Sequence, residues 1–157
     1  MRTQAAWARL DRVQEGLQKC ELFRDLQTRQ FVEIATLAEE VKLKPNQMLL
    51  VEAEQARYIF VILEGRAVAQ LETSQGFLSL GLVGPADAAG WTSLVGDQVY
   101  PASVKALTPL RAARIDASRL ARLMDIEPAM GYTVGKRLSR LFCLQYKAAL
   151  EAFKTSL

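Results

Sequence analysis

The sequence predicts an α+β domain: an antiparallel β-roll, double-stranded β-helix or jelly-roll-like in form, with helices at its N terminus and a long helix at its C terminus. Three observations carry this reading. Between residues 41 and 115 short β-rich runs alternate with turn residues. Ahead of them, apolar residues recur at three- and four-residue spacing, the mark of an amphipathic helix. Beyond Pro128 no further proline interrupts the chain. Short strands at such regular spacing suggest an antiparallel sandwich or barrel.

Each element has its own signal. Ala6, Trp7, Leu10, Val13 and Leu17 form one helical stripe. Thr28 is placed to cap a second helix that buries Phe31, Ile34, Ala35 and Ala38. Lys44-Pro45-Asn46 breaks the helical pattern. Strands are then expected at Val41–Leu43, Met48–Val51, Tyr58–Leu63, Ala67–Leu71, Phe77–Leu82, Ser103–Leu107 and Leu110–Ile115. Asp116-Ala117-Ser118 opens a short capped helix through Met124, and Pro128 sits at the first turn of the last helix. The expected organisation is a helical extension over 1–20, a β-roll over 21–128 and the long helix over 129–157.

That last helix carries an apolar stripe of Val134, Leu138, Leu141, Phe142, Tyr146, Ala149 and Phe153. At 1.5 Å per residue its expected span is about 37 Å, longer than the roll it covers. The stripe therefore predicts a homodimer, with Val134, Leu138, Leu141, Phe142, Tyr146 and Ala149 at the interface.

Composition excludes several function classes. The chain has 157 residues, half of them hydrophobic and a quarter charged, which is ordinary for a soluble globular domain. Its longest apolar run, Tyr58–Leu63, is too short to span a bilayer. Arg9, Asp11 and Arg12 stand where a signal peptide needs an apolar core, so a cytoplasmic protein without membrane contact is expected. Histidine is absent, which removes Ser-His and Cys-His nucleophilic chemistry and the commonest general base. Cys20 and Cys143 cannot build a CxxC or a four-ligand metal site, and both read as small hydrophobes. The run Gly131–Arg137 misses the phosphate-loop pattern by one residue of spacing and by an Arg where Ser or Thr must hold magnesium. Glu39-Glu40 and Glu52/Glu54 have no partner that would tune a carboxylate pair, and read as surface charge. No catalytic residue, metal or cofactor is expected, and the chain reads as a non-enzyme.

The net charge of +3 is unevenly placed. Residues 52–104 hold two basic and six acidic side chains, whereas residues 105–157 hold ten basic and four acidic. The first is an unfavourable setting for an anionic ligand. Arg111, Arg114, Arg119 and Arg122 read as a solvated face.

Motifs then narrow the reading. Leu22–Leu26, Phe60–Arg66, Leu80–Pro85 and Gly84–Ala106 occur in the order and spacing of the cyclic nucleotide-binding domain family, and the chain resembles that family over residues 20–130. The last stretch resembles its phosphate-binding cassette, which runs Gly-Glu, a short helical turn, then Pro-Arg-Ala-Ala-Thr-Val. On this resemblance Gly90 takes the glycine position. Trp91 stands where the Glu holds the ribose hydroxyl, and Tyr100 where the Arg pairs with the cyclic phosphate. Family glycines appear as Asn46, Ala53 and Ala86; Ala does not readily adopt positive φ, so the turns at Ala53 and Ala86 are expected to be reshaped.

The candidate pocket comprises Gly90, Trp91, Thr92, Ser93, Tyr100, Ala102 and Ser103. Backbone N–H groups at the start of a Trp91–Val95 turn, with the Thr92 and Ser93 hydroxyls, are candidates to hold an anion. Trp91 has three open roles: packing, stacking on a ligand, or a partner interface. Many relatives end in a DNA-reading helix-turn-helix; this chain stops about four residues past the long helix, and no direct DNA binding is expected. Two readings stay open. One is a regulatory sensor of an unidentified small molecule that does not take cAMP or cGMP in the usual way. The other is a ligand-free dimeric adaptor for a protein partner, its pocket closed by Trp91. Cavity volume separates them.

Overall fold

The computed structural model describes residues 2–96 and 98–157. Two four-stranded antiparallel sheets form the roll, and helices cover one of them. The strands are β1 (Ala38–Leu43), β2 (Met48–Leu50), β3 (Tyr58–Glu64), β4 (Ala67–Thr73), β5 (Gly76–Val83), β6 (Ala88–Ala89), β7 (Ser103–Ala106) and β8 (Leu110–Asp116). One sheet has the order β1-β8-β3-β6 and the other β2-β7-β4-β5. The helices are α1 (Arg2–Lys19), α2 (Thr28–Leu37), α3 (Ala117–Ile126) and α4 (Pro128–Ser156), with 3-10 turns at Glu21–Phe23 and Trp91–Val95. The α+β roll is therefore the fold the residue pattern predicts.

Strand β3 explains how the roll is layered. Ile59 and Val61 join a core shared with Val13, Leu17, Leu22, Phe23, Ile34 and Leu120 on the helical side. The alternate residues, Phe60 and Ile62, join Leu50, Tyr100, Val104, Leu110 and Ala112 between the sheets. A strand covered on both faces needs an unbroken apolar run, as Tyr58–Leu63 supplies. Strand β5 has the opposite environment. It is the free edge of the second sheet, and Phe77, Leu78, Leu80 and Leu82 are exposed along it.

Local chemistry departs from expectation in several places. The residue preceding α2 is Gln27, not Thr28: Gln30 Oε1 accepts the Gln27 N–H at 2.8 Å, and Thr28 begins the helix. Ala38 belongs to β1 rather than to α2. Asp116 does cap α3, accepting the Arg119 N–H at 3.0 Å, though the helix continues to Ile126. Cys20 is buried, but Cys143 is exposed on α4, so only the first is a core residue. Val13 and Leu17 are buried and Leu10 packs against the core, while Trp7 is 65% exposed, so the α1 stripe engages the core from Leu10 onward.

The turns at Ala53 and Ala86 are not reshaped. Both alanines hold left-handed conformations, φ 66° and 69°, as Asn46 does at 71°. Backbone hydrogen bonds hold them there: Ala53 N–H donates to Tyr100 O at 2.9 Å, and Ala86 N–H to Ile62 O at 2.8 Å. The ladder on either side fixes the turn more strongly than the Cβ opposes it.

Candidate functional site

Between β6 and β7 the chain forms a cassette. Gly90 leads it with φ 75°, and a Cβ there would lie 2.7 Å from Tyr58 O and 3.0 Å from Tyr100 Cε1. Only glycine fits both the conformation and the space. The five-residue 3-10 turn Trp91–Val95 follows. Its Ser93 N–H already donates to Gly90 O at 3.0 Å, which weakens the expectation of an anion cradle.

A cavity of about 480 Å³ opens beside this cassette. Gly90, Trp91, Thr92, Tyr100 and Ala102 lie on its wall, as do Cys20, Glu21 and Leu22 from the N-terminal segment, Leu80 and Leu82 from β5, and Leu141 and Gln145 from α4. Ser93 and Ser103 are not on the wall. Ser103 Oγ instead accepts the Glu52 N–H at 2.8 Å and ties β7 to the turn at Ala53. Ser93 is buried, and its Oγ, like Thr92 Oγ1, has no hydrogen-bond partner among the described residues.

Tyr100 is fixed from every side. Its hydroxyl donates to Tyr58 O at 2.8 Å and accepts the Tyr58 N–H at 3.1 Å. Burial pushes its ionisation above the usual tyrosine value, so it stays a neutral donor. Trp91 packs its ring edge-on to Phe142 of α4, centroids 4.6 Å apart and planes at 82°, a favourable aromatic geometry. It therefore joins the wall to the last helix without filling the cavity. The charged side chains on the wall, among the described residues, are Glu21 and Asp87. Burial, with these carboxylates adding to it, pushes the Cys20 thiol up to about 11 and keeps it neutral.

The apolar stripe of α4 is placed unevenly. Val134 is 1% exposed and belongs to this chain's own helical core, and Leu138 and Leu141 pack against that core. From Phe142 onward every residue of α4 is exposed, Tyr146, Ala149 and Phe153 included. The expectation for Val134 is thus corrected: it is engaged within the chain's own core. Outside the cassette, Leu22 and Leu80–Val83 fall in stretches that resemble the family and Leu141 in the α4 stripe, but nothing in the sequence marks them as parts of one wall. Cys20–Leu22 and Leu80–Leu82 become neighbours only through the tertiary fold.

Among the described residues no helix is long and apolar enough to cross a membrane, and no group of three or more His, Cys, Asp or Glu side chains could hold a metal ion.

A family model for the cyclic nucleotide-binding domain matches residues 40–127. Solved structures share the fold. The N-terminal domain of a transcriptional regulator from Streptomyces coelicolor A3(2) superimposes with a TM-score of 0.74 at 22% identity, over 85% of this chain and 94% of that one. A cyclic nucleotide-binding domain from Methylobacillus flagellatus KT gives 0.80 at 20% identity, over 94% and 84%. The regulatory subunit of a cAMP-independent protein kinase A from Trypanosoma brucei, a mutant bound to cAMP in its A site, gives 0.73 at 16% identity; 97% of this chain covers about half, 53%, of that one.

Proposed function

This chain belongs to the cyclic nucleotide-binding domain family, and from that premise we propose that it is a non-catalytic regulatory module whose cavity takes a ligand other than cAMP or cGMP. One observation carries the reading: the cavity is open, yet no Lys or Arg stands on its described wall. A cyclic phosphate there would lack a charged, hydrogen-bonded partner, a loss of about 2–5 kcal/mol. Trp91 in place of a carboxylate removes the partner of the ribose hydroxyl as well. Together the two losses move a micromolar ligand beyond about millimolar. The open volume favours this sensor over the adaptor closed by Trp91, because about 480 Å³ lies within the range of small-molecule sites.

The wall also supports a route outward. A ligand in the cavity contacts Trp91 and Leu141, and Trp91 packs on Phe142, where α4 leaves the body of the domain. A change of ligand state would bias the seating of α4 through that contact. The 29 residues of α4 span about 44 Å. Its exposed Phe142, Tyr146, Leu150 and Phe153 support a homodimer through the free part of the helix.

A thermal-shift screen of cyclic nucleotides and small metabolites tests the sensor. A ligand at one hundred times its Kd stabilises by about 2.7 kcal/mol, a readily measured shift. The expected outcome is no shift with millimolar cAMP or cGMP and a shift with a non-nucleotide compound. Stabilisation by micromolar cAMP would contradict the proposal.

A further inference from the structure

Resting on the reading of the cavity as a ligand site, we infer that its ligand is an uncharged, mostly apolar small molecule. The wall's charges argue this first. Glu21 and Asp87 are both acidic, so an anion would meet two carboxylates and, among the described wall residues, no Lys or Arg. A cation fares little better, because the carboxylates already have partners. Glu21 pairs with Arg137 at 2.9 Å and with Arg24 at 3.0 Å, and Asp87 Oδ2 accepts the Gly84 N–H at 2.8 Å.

The polar groups reach the same conclusion. The Tyr100 hydroxyl is engaged both as donor and as acceptor, and the Cys20 thiol is a neutral, weakly polar surface. The Gln145 side-chain amide, exposed at the α4 edge of the wall, is left to make a polar contact with a ligand that is otherwise apolar. The rim gives the apolar attraction. The pairing of β4 with β5 shifts between Ala69 and Gln70, which leaves Leu80 as an extra residue opposite them. Such a bulge re-aims side chains at a sheet edge. Leu80 and Leu82, 53% and 66% exposed, both stand on the wall. A ligand seated there removes their apolar surface from water, and the transfer is favourable whatever else it contacts.

Two dyes with one ring framework separate charge from shape: neutral N-phenyl-1-naphthylamine, and 8-anilino-1-naphthalenesulfonate, which adds an anionic group. Fluorescence titration of the full chain should show the neutral dye binding at least about tenfold more tightly than the sulfonate, without displacement by millimolar cAMP. Ala102→Phe, which narrows the wall, should weaken the neutral dye by about tenfold or more. Leu82→Arg, at an exposed rim position and so tolerant of the change, should reverse the preference toward the sulfonate. A sulfonate that binds the unmodified chain as tightly as the neutral dye overturns the uncharged class while leaving a non-nucleotide sensor in place. Displacement of the dye by micromolar cAMP overturns the sensor reading itself. Absence of neutral-dye binding, or binding that neither substitution changes, overturns the inference at this cavity.

Discussion

Ala53 and Ala86 hold conformations that an L-residue other than Asn, Asp or Gly adopts at a cost of about 1–2 kcal/mol. Glycine there relieves that strain but loses about 0.5–1 kcal/mol to its greater freedom in the unfolded chain. Ala53→Gly and Ala86→Gly should each stabilise by roughly 0.5–1 kcal/mol in urea denaturation. Gly90→Ala should do the opposite, costing about 2–4 kcal/mol, because positive φ and a 2.7 Å approach to Tyr58 O act together. A neutral outcome at Gly90 would mean that the cassette adopts a different path. Cys20 gives a pH signature. Its folded value of about 11 lies above the usual 9.0, so the native state keeps a proton that the unfolded chain releases. Stability is then full below about pH 9 and declines as pH rises toward 11, by about 1.4 kcal/mol at pH 10. Cys20→Ala should flatten that window, and an unchanged slope between pH 9 and 10 would show that the thiol is not held in this way.

The contact of the 3-10 turn with α4 is where the site meets the rest of the chain. Phe142→Ala removes the edge-on partner of Trp91 and should cost about 1 kcal/mol. In a Trp7→Phe background it should also shift Trp91 emission toward the red as the ring gains solvent. Emission unchanged by the substitution would place Trp91 elsewhere. Elements with strong local chemistry were legible in the sequence. The doubly covered run of β3, the Asp116 cap and the Pro128 start are read directly from residue types. Two-residue β6 was not, since Ala88-Ala89 carries no period and pairs with β3 only through Phe60 and Val61. The cassette was legible as a motif, but its wall was not. Leu80 belongs to a motif and Leu141 to the α4 stripe, but neither is marked as a neighbour of Cys20 until the roll and α4 bring them together. Propensity alone does not give the turns at Ala53 and Ala86, because hydrogen bonds to Tyr100 and Ile62 override it.

At the scale of the whole molecule, the roll presents a wall with no Lys or Arg among the described residues, and α4 extends past the body of the domain with its apolar side uncovered. Tyr146→Asp, at a site 66% exposed and away from the cavity, should turn a dimer into a monomer by sedimentation, with the cavity intact. A wild-type chain that is monomeric at tens of micromolar, by order of magnitude, would contradict the dimer. Among the described wall residues no charged side chain can grip a cyclic phosphate. Calorimetry with cAMP addresses it, on the unmodified chain and on one carrying Trp91→Glu with Tyr100→Arg. The account predicts no measurable heat of binding for the unmodified chain up to about millimolar cAMP, and partial recovery in the double variant. Micromolar binding by the unmodified chain would contradict it.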